Sequence, residues 1–282
     1  MEIVAREQRP PIQPRNINFD LPDDLPRHWH SGDPYITGFF NGLSLMFPEG
    51  ERFFVDSVRH FQDRITDPKL REEVRGFCGQ EGIHGREHRR YNELLEAQGY
   101  PARTLERLVK VGIRFDRMMP AKWQLAMTAA LEHFTAIFAE LVLGDPAFFR
   151  DAHPAMKRLW TWHALEEAEH KAVAFDVYQT VAPGFGGYLL RILTMAITTV
   201  LFGLEIFLHE SVLVYRDGMF WNLRARKKAF RYLWTDPGFL TKGMRHYLRY
   251  YRRDFHPWQR DTSELVARWK AQYALGRIHT HL

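Results

Sequence analysis

Two segments decide the fold expected of this chain: QEGIHGREH at residues 80–88 and HALEEAEH at residues 163–170. Each contains a Glu-x-x-His motif, Glu81–His84 in the first and Glu167–His170 in the second. Residues three apart lie on one face of a helix, so each motif directs a carboxylate and an imidazole toward one point. Helical bundles that hold two metal ions take such a motif from each of two helices and one glutamate from each of two others.

The two remaining glutamates are predicted at Glu51, in FPEGERFF, and at Glu132, in ALEHFTA. Glu51 and Glu81 are 30 residues apart and Glu132 and Glu167 are 35 apart, which suits two antiparallel helix hairpins. The 51 residues between Glu81 and Glu132 suit the longer crossover of a ferritin-like bundle. The order of these four elements is far more specific than one Glu-x-x-His motif.

Helical periodicity and helix-end residues run through most of the chain, and strand signals are scarce. Pro48 and Gly50 predict a break in the first helix, with a fresh helix beginning at about Pro48. The predicted helices, with Asp67 as N-cap of the second, are about Pro34–Thr66, Pro68–Gln98, Thr104–Met118, Ala121–Leu143, Pro154–Val181, Tyr188–Leu208, Arg224–Trp234, Phe239–Arg252 and Thr262–Leu275. The predicted class is all-α.

Three segments are predicted. Residues 1–33, polar and rich in proline, form an extended arm. Residues 34–186 form a ferritin-like four-helix bundle with a di-metal core. Residues 187–282, which follow a PGFGG loop, form an apolar helix and a basic helical extension that packs on the bundle or on a membrane surface.

Composition narrows the class of protein. Hydrophobic residues make up 45% of the 282 residues and charged residues 26%, which is typical of a globular protein with a substantial core. The single cysteine, Cys78, excludes a disulfide framework and a cysteine-rich zinc or iron–sulfur site. The N-terminal segment has no apolar run of the kind found in a secretory signal, so we expect a cytoplasmic protein.

Four further residues lie close to the motifs, and one more ligand is predicted. His163 stands four residues before Glu167 and shares its helix face, so we expect it to be a direct ligand. Additional or supporting roles are open for His88, Glu166, His133 and Asp176. The predicted metal ligands are Glu51, Glu81, His84, Glu132, His163, Glu167 and His170, and no catalytic residue is expected apart from them. Carboxylate and imidazole without thiolate favour two iron ions, with manganese as the alternative.

The segments FPEGERFF, QEGIHGREH, ALEHFTA and WHALEEAEHKAVAFD together resemble the bacterial family of predicted metal-dependent hydrolases, over most of the chain from about His28. The ligand pattern is also similar to the di-iron p-aminobenzoate N-oxygenase group, whose fourth helix carries His-x-x-x-Glu-x-x-His. His163, Glu167 and His170 reproduce that spacing here. The match to the second group does not extend beyond the ligands, so its substrate is not implied.

Three functions follow as expectations. The first is a non-haem di-iron oxygenase or oxidase that activates O₂ to oxidise a small organic substrate and needs an electron donor if it is an oxygenase. The second is a metal-dependent hydrolase that uses a metal-bound hydroxide. The third is a metal-binding bundle without catalysis.

The C-terminal third raises the question of a membrane. The stretch 192–208 is almost entirely apolar, apart from Glu205, and is close to the lower length limit for a spanning helix. Between Arg224 and Arg253 the chain has ten lysines and arginines and one acid, Asp236, with tyrosine and tryptophan interleaved. Two interpretations stay open: a fifth helix that caps the bundle and has a solvated basic face, or a helix and basic extension that lie on the inner face of a membrane. No nucleic-acid partner is expected, and a homodimer is compatible with the sequence.

Overall fold

The computed structural model describes residues 3–274, which are helical apart from turns, loops and an N-terminal arm. The all-α prediction is confirmed, because no β-strand occurs within this range. The helices are α1 Pro34–Arg59, α2 Pro68–Ala97, α3 Ala102–Asp116, α4 Ala121–Gly144, α5 Pro154–His170, α6 Val173–Val181, α7 Gly184–Arg216, α8 Leu223–Trp234, α9 Phe239–Arg249 and α10 Ser263–Ala274. The predicted end of the last helix, Leu275, lies outside the described residues.

The core is a bundle of two helix hairpins. Helix α1 packs along α2, and α4 packs along α5, while contacts of α1 with α4 and of α2 with α5 join the two pairs. The Asp33 side chain accepts hydrogen bonds from the first backbone N–H groups of α1, and Asp67 does the same for α2. A proline follows each aspartate, where the missing N–H costs nothing. The cap predicted at Asp67 is therefore confirmed.

Helix α1 runs unbroken through Pro48, so the predicted break there is wrong. A proline at this position leaves the carbonyl of Ser44 without its usual backbone donor. The Asn92 side chain on α2 fills that place, with its Nδ2 3.1 Å from the Ser44 oxygen. Because a neighbouring helix satisfies the carbonyl, the helix continues past the proline.

Two other boundaries also differ from the sequence prediction. The segment predicted as one helix, Pro154–Val181, is divided after His170 into α5 and α6. At the division the buried Lys171 ammonium contacts Glu140 on α4 and the backbone oxygen of Arg260. The predicted loop PGFGG instead supplies the first turn of α7, which begins at Gly184.

The N-terminal arm lies across α2 and is held there by shape and by charge. Gly76 and Gly79 leave room for Ile12 and Pro14, because a Cβ atom at either glycine would lie less than 3 Å from the arm. Arg15 on the arm bonds two buried glutamates of α5. The segment predicted to be an extended arm is thus packed closely against the bundle.

Helices α7, α8 and α9 pack on the side of the bundle formed by α1 and α4, whereas α10 packs mainly on α5. Helix α7 packs against both α1 and α4, and α9 packs against α4. Two helices, α4 and α7, are long and apolar enough to cross a membrane, a test that core helices of soluble proteins also pass. Most of the apolar window of α4 is buried, whereas only 22% of that of α7 is buried. The division at residues 33 and 186 stays a prediction.

The role of Asn92 can be tested by a double-mutant cycle with Pro48. We expect Asn92→Ala to lower the free energy of unfolding by about 1–3 kcal/mol, because it leaves the buried Ser44 carbonyl unpaired. In a Pro48→Ala background the restored N–H bonds that carbonyl, so the same substitution should cost less. Urea denaturation of the four proteins measures the coupling. Equal costs in the two backgrounds would contradict this account of the unbroken helix.

Candidate metal centre

Four glutamates from four helices meet in the middle of the bundle. Glu51 lies on α1, Glu81 on α2, Glu132 on α4 and Glu167 on α5, and each is at most 2% exposed. Neither oxygen of Glu51, Glu81 or Glu132 makes a hydrogen bond of acceptable geometry. Within residues 3–274, no lysine or arginine pairs with any of the four. Ionised carboxylates that are buried with only histidines around them are strongly unfavourable, so this arrangement calls for protons or a cation to compensate the charge.

Three histidines complete what we call the carboxylate–histidine cluster. Its side-chain ligand atoms fall into three overlapping groups, and within each group all atoms lie within 4.8 Å of one another. The groups are Glu51, His84 and His163; Glu81, His84 and Glu167; and Glu81, Glu132 and His170. All seven residues predicted from the sequence as ligands are therefore brought together, while their role as ligands stays a prediction.

The outer hydrogen bond of His170 determines which ring nitrogen faces the carboxylates. Gln80 donates its amide N–H to Glu169 and to the Gln13 backbone oxygen, so its Oε1 is the atom 2.8 Å from His170 Nδ1. His170 must therefore donate from Nδ1. Its Nε2 lies 3.1 Å from Glu81, 3.4 Å from Glu132 and 3.2 Å from Glu167.

A longer hydrogen-bonded chain orients His163. Asn92 donates its Nδ2 to two acceptors, the Ser44 backbone oxygen and Glu106, so its Oδ1 accepts from the Ser44 hydroxyl. Ser44 Oγ must then accept from His88 Nδ1, at 2.9 Å, and the neutral His88 accepts through Nε2 from His163 Nδ1, at 2.8 Å.

This series of hydrogen bonds leaves the lone pair of His163 Nε2 directed at Glu167 Oε1, 3.0 Å away. Two acceptors at that distance repel each other unless a proton or a metal ion lies between them. The packing supports the same orientation, because the His163 ring stacks on that of Phe47 with 4.8 Å between centroids.

His84 is oriented from outside the cluster in the same way. Its Nε2 lies 3.1 Å from Glu166 Oε2, and Arg15 of the N-terminal arm holds the other oxygen of Glu166 at 3.0 Å. His84 Nδ1 has no hydrogen-bond partner and lies 3.6 Å from Glu167 Oε1. All three histidines thus use one nitrogen for an outer bond and direct the other at the carboxylates, an arrangement typical of metal-binding histidines.

The charges of the cluster perturb one another strongly. Burial first, and then the neighbouring carboxylates, raise the pKa of Glu51 and Glu132 well above the usual range, and burial raises the pKa of Glu81 to about 7. Burial acts to lower the pKa of His170, but the charges of Glu167 and Glu132 outweigh it and raise that pKa well above the usual range. These directions mean that burial favours the protonated form of Glu51 and Glu132 when no metal ion is bound.

The residue types fit a pair of divalent ions. Four carboxylates carry four negative charges when ionised, two divalent ions carry four positive charges, and the three oriented imidazoles add lone pairs without adding charge. Carboxylate with imidazole is a donor set that suits iron or manganese. The aromatic rings of Phe77 and Trp162 pack edge-on against His170 and His84 and keep the surroundings apolar.

The four residues with open roles lie outside the cluster. His88 and Glu166 each bond the outer nitrogen of a cluster histidine. His133 instead lies 3.1 Å from the His246 backbone oxygen, and burial lowers its pKa to about 3. The suggestion that Asp176 orients a ligand histidine is not supported, because its partners are Arg6, Arg9 and His256.

Sequence reasoning did not identify three supporting residues. Gln80 directly precedes Glu81 in the motif, and a search for hydrogen-bonding side chains beside each Glu-x-x-His would have found it. Ser44 is 37 residues before Glu81 and Arg15 lies in an aperiodic arm, so no spacing rule points to either.

A family model with the description "Predicted metal-dependent hydrolase" matches residues 13–261. The match includes the whole cluster and begins within the arm, just before Arg15. The resemblance seen in the sequence motifs is thereby confirmed for this family, whose description indicates a metal-dependent enzyme. No curated protein and no solved structure matches the chain.

Metal binding should release protons. The pKa of Glu51, Glu132 and His170 is raised in the metal-free protein, and a ligand must be deprotonated to bind a metal ion. Affinity should therefore increase with pH, most clearly through the region near pH 7 where Glu81 titrates. Titration calorimetry with Mn²⁺ in buffers of different ionisation enthalpy counts the protons.

Glu132→Gln should release fewer protons than the unmodified protein, and Glu93→Gln, at an exposed site on α2, should release the same number. A binding enthalpy that does not depend on the buffer would contradict this description of the metal-free cluster.

Proposed function

Since the chain belongs to the family described as predicted metal-dependent hydrolases, we propose that it is a hydrolase whose carboxylate–histidine cluster binds two divalent metal ions. One observation carries the proposal: four buried carboxylates and three oriented imidazole nitrogens converge without a lysine or arginine, among residues 3–274, to neutralise them. A helical bundle that takes one glutamate from each of two helices and Glu-x-x-His from each of two others is a recurrent two-metal scaffold of the ferritin-like type.

The geometry supports a division of the ligands between two ions. We assign the first ion to Glu51, His84 and His163, and the second to Glu81, Glu132 and His170, since these form the two outer groups of the cluster. Glu167 is suited to bridge them. Its Oε1 lies 3.0 Å from His163 Nε2, whereas its Oε2 lies 3.2 Å from His170 Nε2.

A bound pair of divalent ions would polarise a substrate carbonyl or phosphoryl oxygen and would lower the pKa of water. The chain supplies the positions of the ligands. Gln80, His88 and Glu166 fix the rings of the three histidines, and removing an outer partner of this kind typically costs about 10–100-fold in metal affinity or activity. Arg15 keeps Glu166 in place as an acceptor for His84.

Oxidation by O₂ is the second candidate function, and a specific observation favours it. The ligands project from helices into an apolar core, and the cavity next to His163 is lined almost entirely by apolar side chains. Such surroundings exclude water and admit O₂ and apolar substrates. The same ligands would serve a di-iron oxygenase or oxidase, and the spacing of His163, Glu167 and His170 is the feature shared with the N-oxygenase group.

The ligand assignment predicts a loss of metal in single variants. We expect Glu81→Ala and His170→Ala each to lower the metal content from two ions per chain to one or none. Plasma mass spectrometry of protein purified from iron- and manganese-supplemented cells measures this content. Glu93→Ala and His60→Ala, at exposed positions, are the matched controls and should keep both ions. Two ions retained in both cluster variants would exclude this site.

One preparation of the protein can distinguish hydrolysis from oxidation by O₂. Protein loaded with Mn²⁺ under argon should hydrolyse an apolar aryl ester, and Glu81→Ala should lose that activity. Protein loaded with Fe²⁺ and reduced should not consume O₂ faster than its Glu81→Ala variant if hydrolysis is the function. Metal-dependent O₂ consumption by the unmodified protein alone, without ester turnover, would favour oxidation and refute hydrolysis.

A further inference from the structure

An apolar cavity leads from the surface of the protein to the cluster. It has a volume of about 270 Å³ and lies between α1, α4, α7 and α9. His163 is the one member of the cluster in its lining, and Phe47, which stacks on His163, lines the same wall. The remaining lining is rich in aromatic rings, among them Phe39, Phe134, Phe138, Phe202 and Tyr247.

The mouth of the cavity opens on an apolar surface. Gly203 of α7 and Met244 of α9 both line the cavity and are exposed. Next to them, Leu204 is 61% exposed, Phe207 is 64% exposed and Leu248 is 57% exposed. An apolar molecule would therefore meet apolar side chains both before and after entering.

Helix α7 buries polar side chains and exposes apolar ones, the reverse of an ordinary surface helix. Its protein-facing side contains Arg191, Thr194, Thr198 and His209, all at most 3% exposed. Its outer side, which we call the apolar face of α7, consists of Phe185, Leu189, Leu193, Ile197, Val200, Leu201, Leu204, Phe207 and Leu208, each at least 41% exposed. Polar side chains turned inward and apolar side chains turned outward are typical of a helix next to lipid.

Basic side chains flank this face. On the exposed side of α9, Arg245 lies between the apolar residues Met244 and Leu248 in the sequence. Neither α8 nor α9 contains an acidic residue. Apolar and cationic side chains exposed on one helix suit the boundary between the acyl chains and the headgroups of an anionic bilayer. A second copy of the chain is the competing occupant of this face, and the oligomeric state measured below distinguishes it from a bilayer.

We propose that the apolar face of α7, with the exposed side of α9, docks on an anionic lipid bilayer, and that the cavity admits a hydrocarbon chain from it. The polar end of that molecule would then lie at His163. The role of the cluster as the reacting centre rests on the proposed function, whereas docking and chain binding do not require a metal ion. Helix α7 lies along the membrane surface here, since its buried Arg191 and His209 keep it on the bundle.

Vesicle flotation tests the docking. The full-length protein should float with phosphatidylglycerol vesicles at low salt, should float less with phosphatidylcholine vesicles, and should lose part of its binding at high salt. Arg245→Glu should weaken binding to the anionic vesicles, and Lys157→Glu, with the same charge change at an exposed site on α5, should not. Leu204→Ser with Phe207→Ser should weaken binding at every salt concentration.

Three results would overturn the docking. The first is protein that stays in the soluble fraction with all vesicles. The second is a dimer, measured by light scattering, that dissociates in the Leu204→Ser, Phe207→Ser variant while vesicles are ignored. The third is protein that alkaline carbonate does not extract from vesicles, because that would mean a spanning helix.

A fluorescent polyene fatty acid tests the cavity. A Cβ atom at Gly203 would meet no other atom within 4 Å, so Gly203→Phe can fold and fill the mouth. It should weaken probe binding about tenfold or more, while Gly186→Phe, at an equally open glycine of α7, should leave it unchanged.

Metal content, measured on the same samples, separates this inference from the proposed function. The proposed role of the cavity is wrong if the unmodified protein retains its metal but does not bind the probe. It is also wrong if the metal is retained and both glycine variants bind the probe equally. In either case the proposed metal site is unaffected. Probe binding that persists in Glu81→Ala, in which the metal content is expected to fall, supports the cavity whatever the reaction proves to be.

Discussion

The burial of four carboxylates in one place is the constraint on which the rest of this structure depends. Glu51, Glu81, Glu132 and Glu167 approach one another because four helices direct them to one level of the bundle, and repulsion together with lost hydration opposes that approach. Burial, and then repulsion between the carboxylates, raises the pKa of Glu51 and of Glu132 well above the usual range. A bundle that kept this cluster for stability alone would be more stable with apolar side chains in its place, so the cluster is a feature of function.

The constraint extends outward through the histidines. A ring that must present a lone pair to the carboxylates needs an acceptor for its other nitrogen, and each acceptor needs a neighbour of its own. For His84 the acceptor is Glu166, and the neighbour that holds Glu166 is Arg15 of the N-terminal arm. Two successive hydrogen bonds, from Arg15 to Glu166 and between Glu166 and His84, therefore connect the arm to the centre of the bundle, although the arm has almost no regular structure. The close approach at Gly76 and Gly79 gives the arm the fixed position that such a connection requires.

The sequence predicted what depends on local periodicity. Two Glu-x-x-His motifs and two lone glutamates, read at helical spacing, were enough to predict the helices of the bundle and the seven residues that converge. The features that depend on contacts between distant segments were not predictable in this way. Pro48 stays within a helix only because Asn92 on another helix satisfies Ser44, and Asp176 turns to the arm, not to a histidine. Whether the seven residues bind metal depends on an ion that neither spacing nor packing contains.

Helix α7 shows why composition and environment must be considered together. A helix that is apolar on nearly every side is usually buried on every side or surrounded by lipid. Here the protein covers the side with Arg191 and Thr194, whose polar groups have partners: Arg191 donates to the Arg252 backbone oxygen and lies over the Tyr250 ring, and Thr194 donates to the Leu190 backbone oxygen. The leucines and Phe207 are left outside, where burial would be more favourable by roughly 25 cal/mol for each Å². The described part of the chain leaves this face uncovered, and the proposed bilayer would supply the apolar neighbour that burial favours.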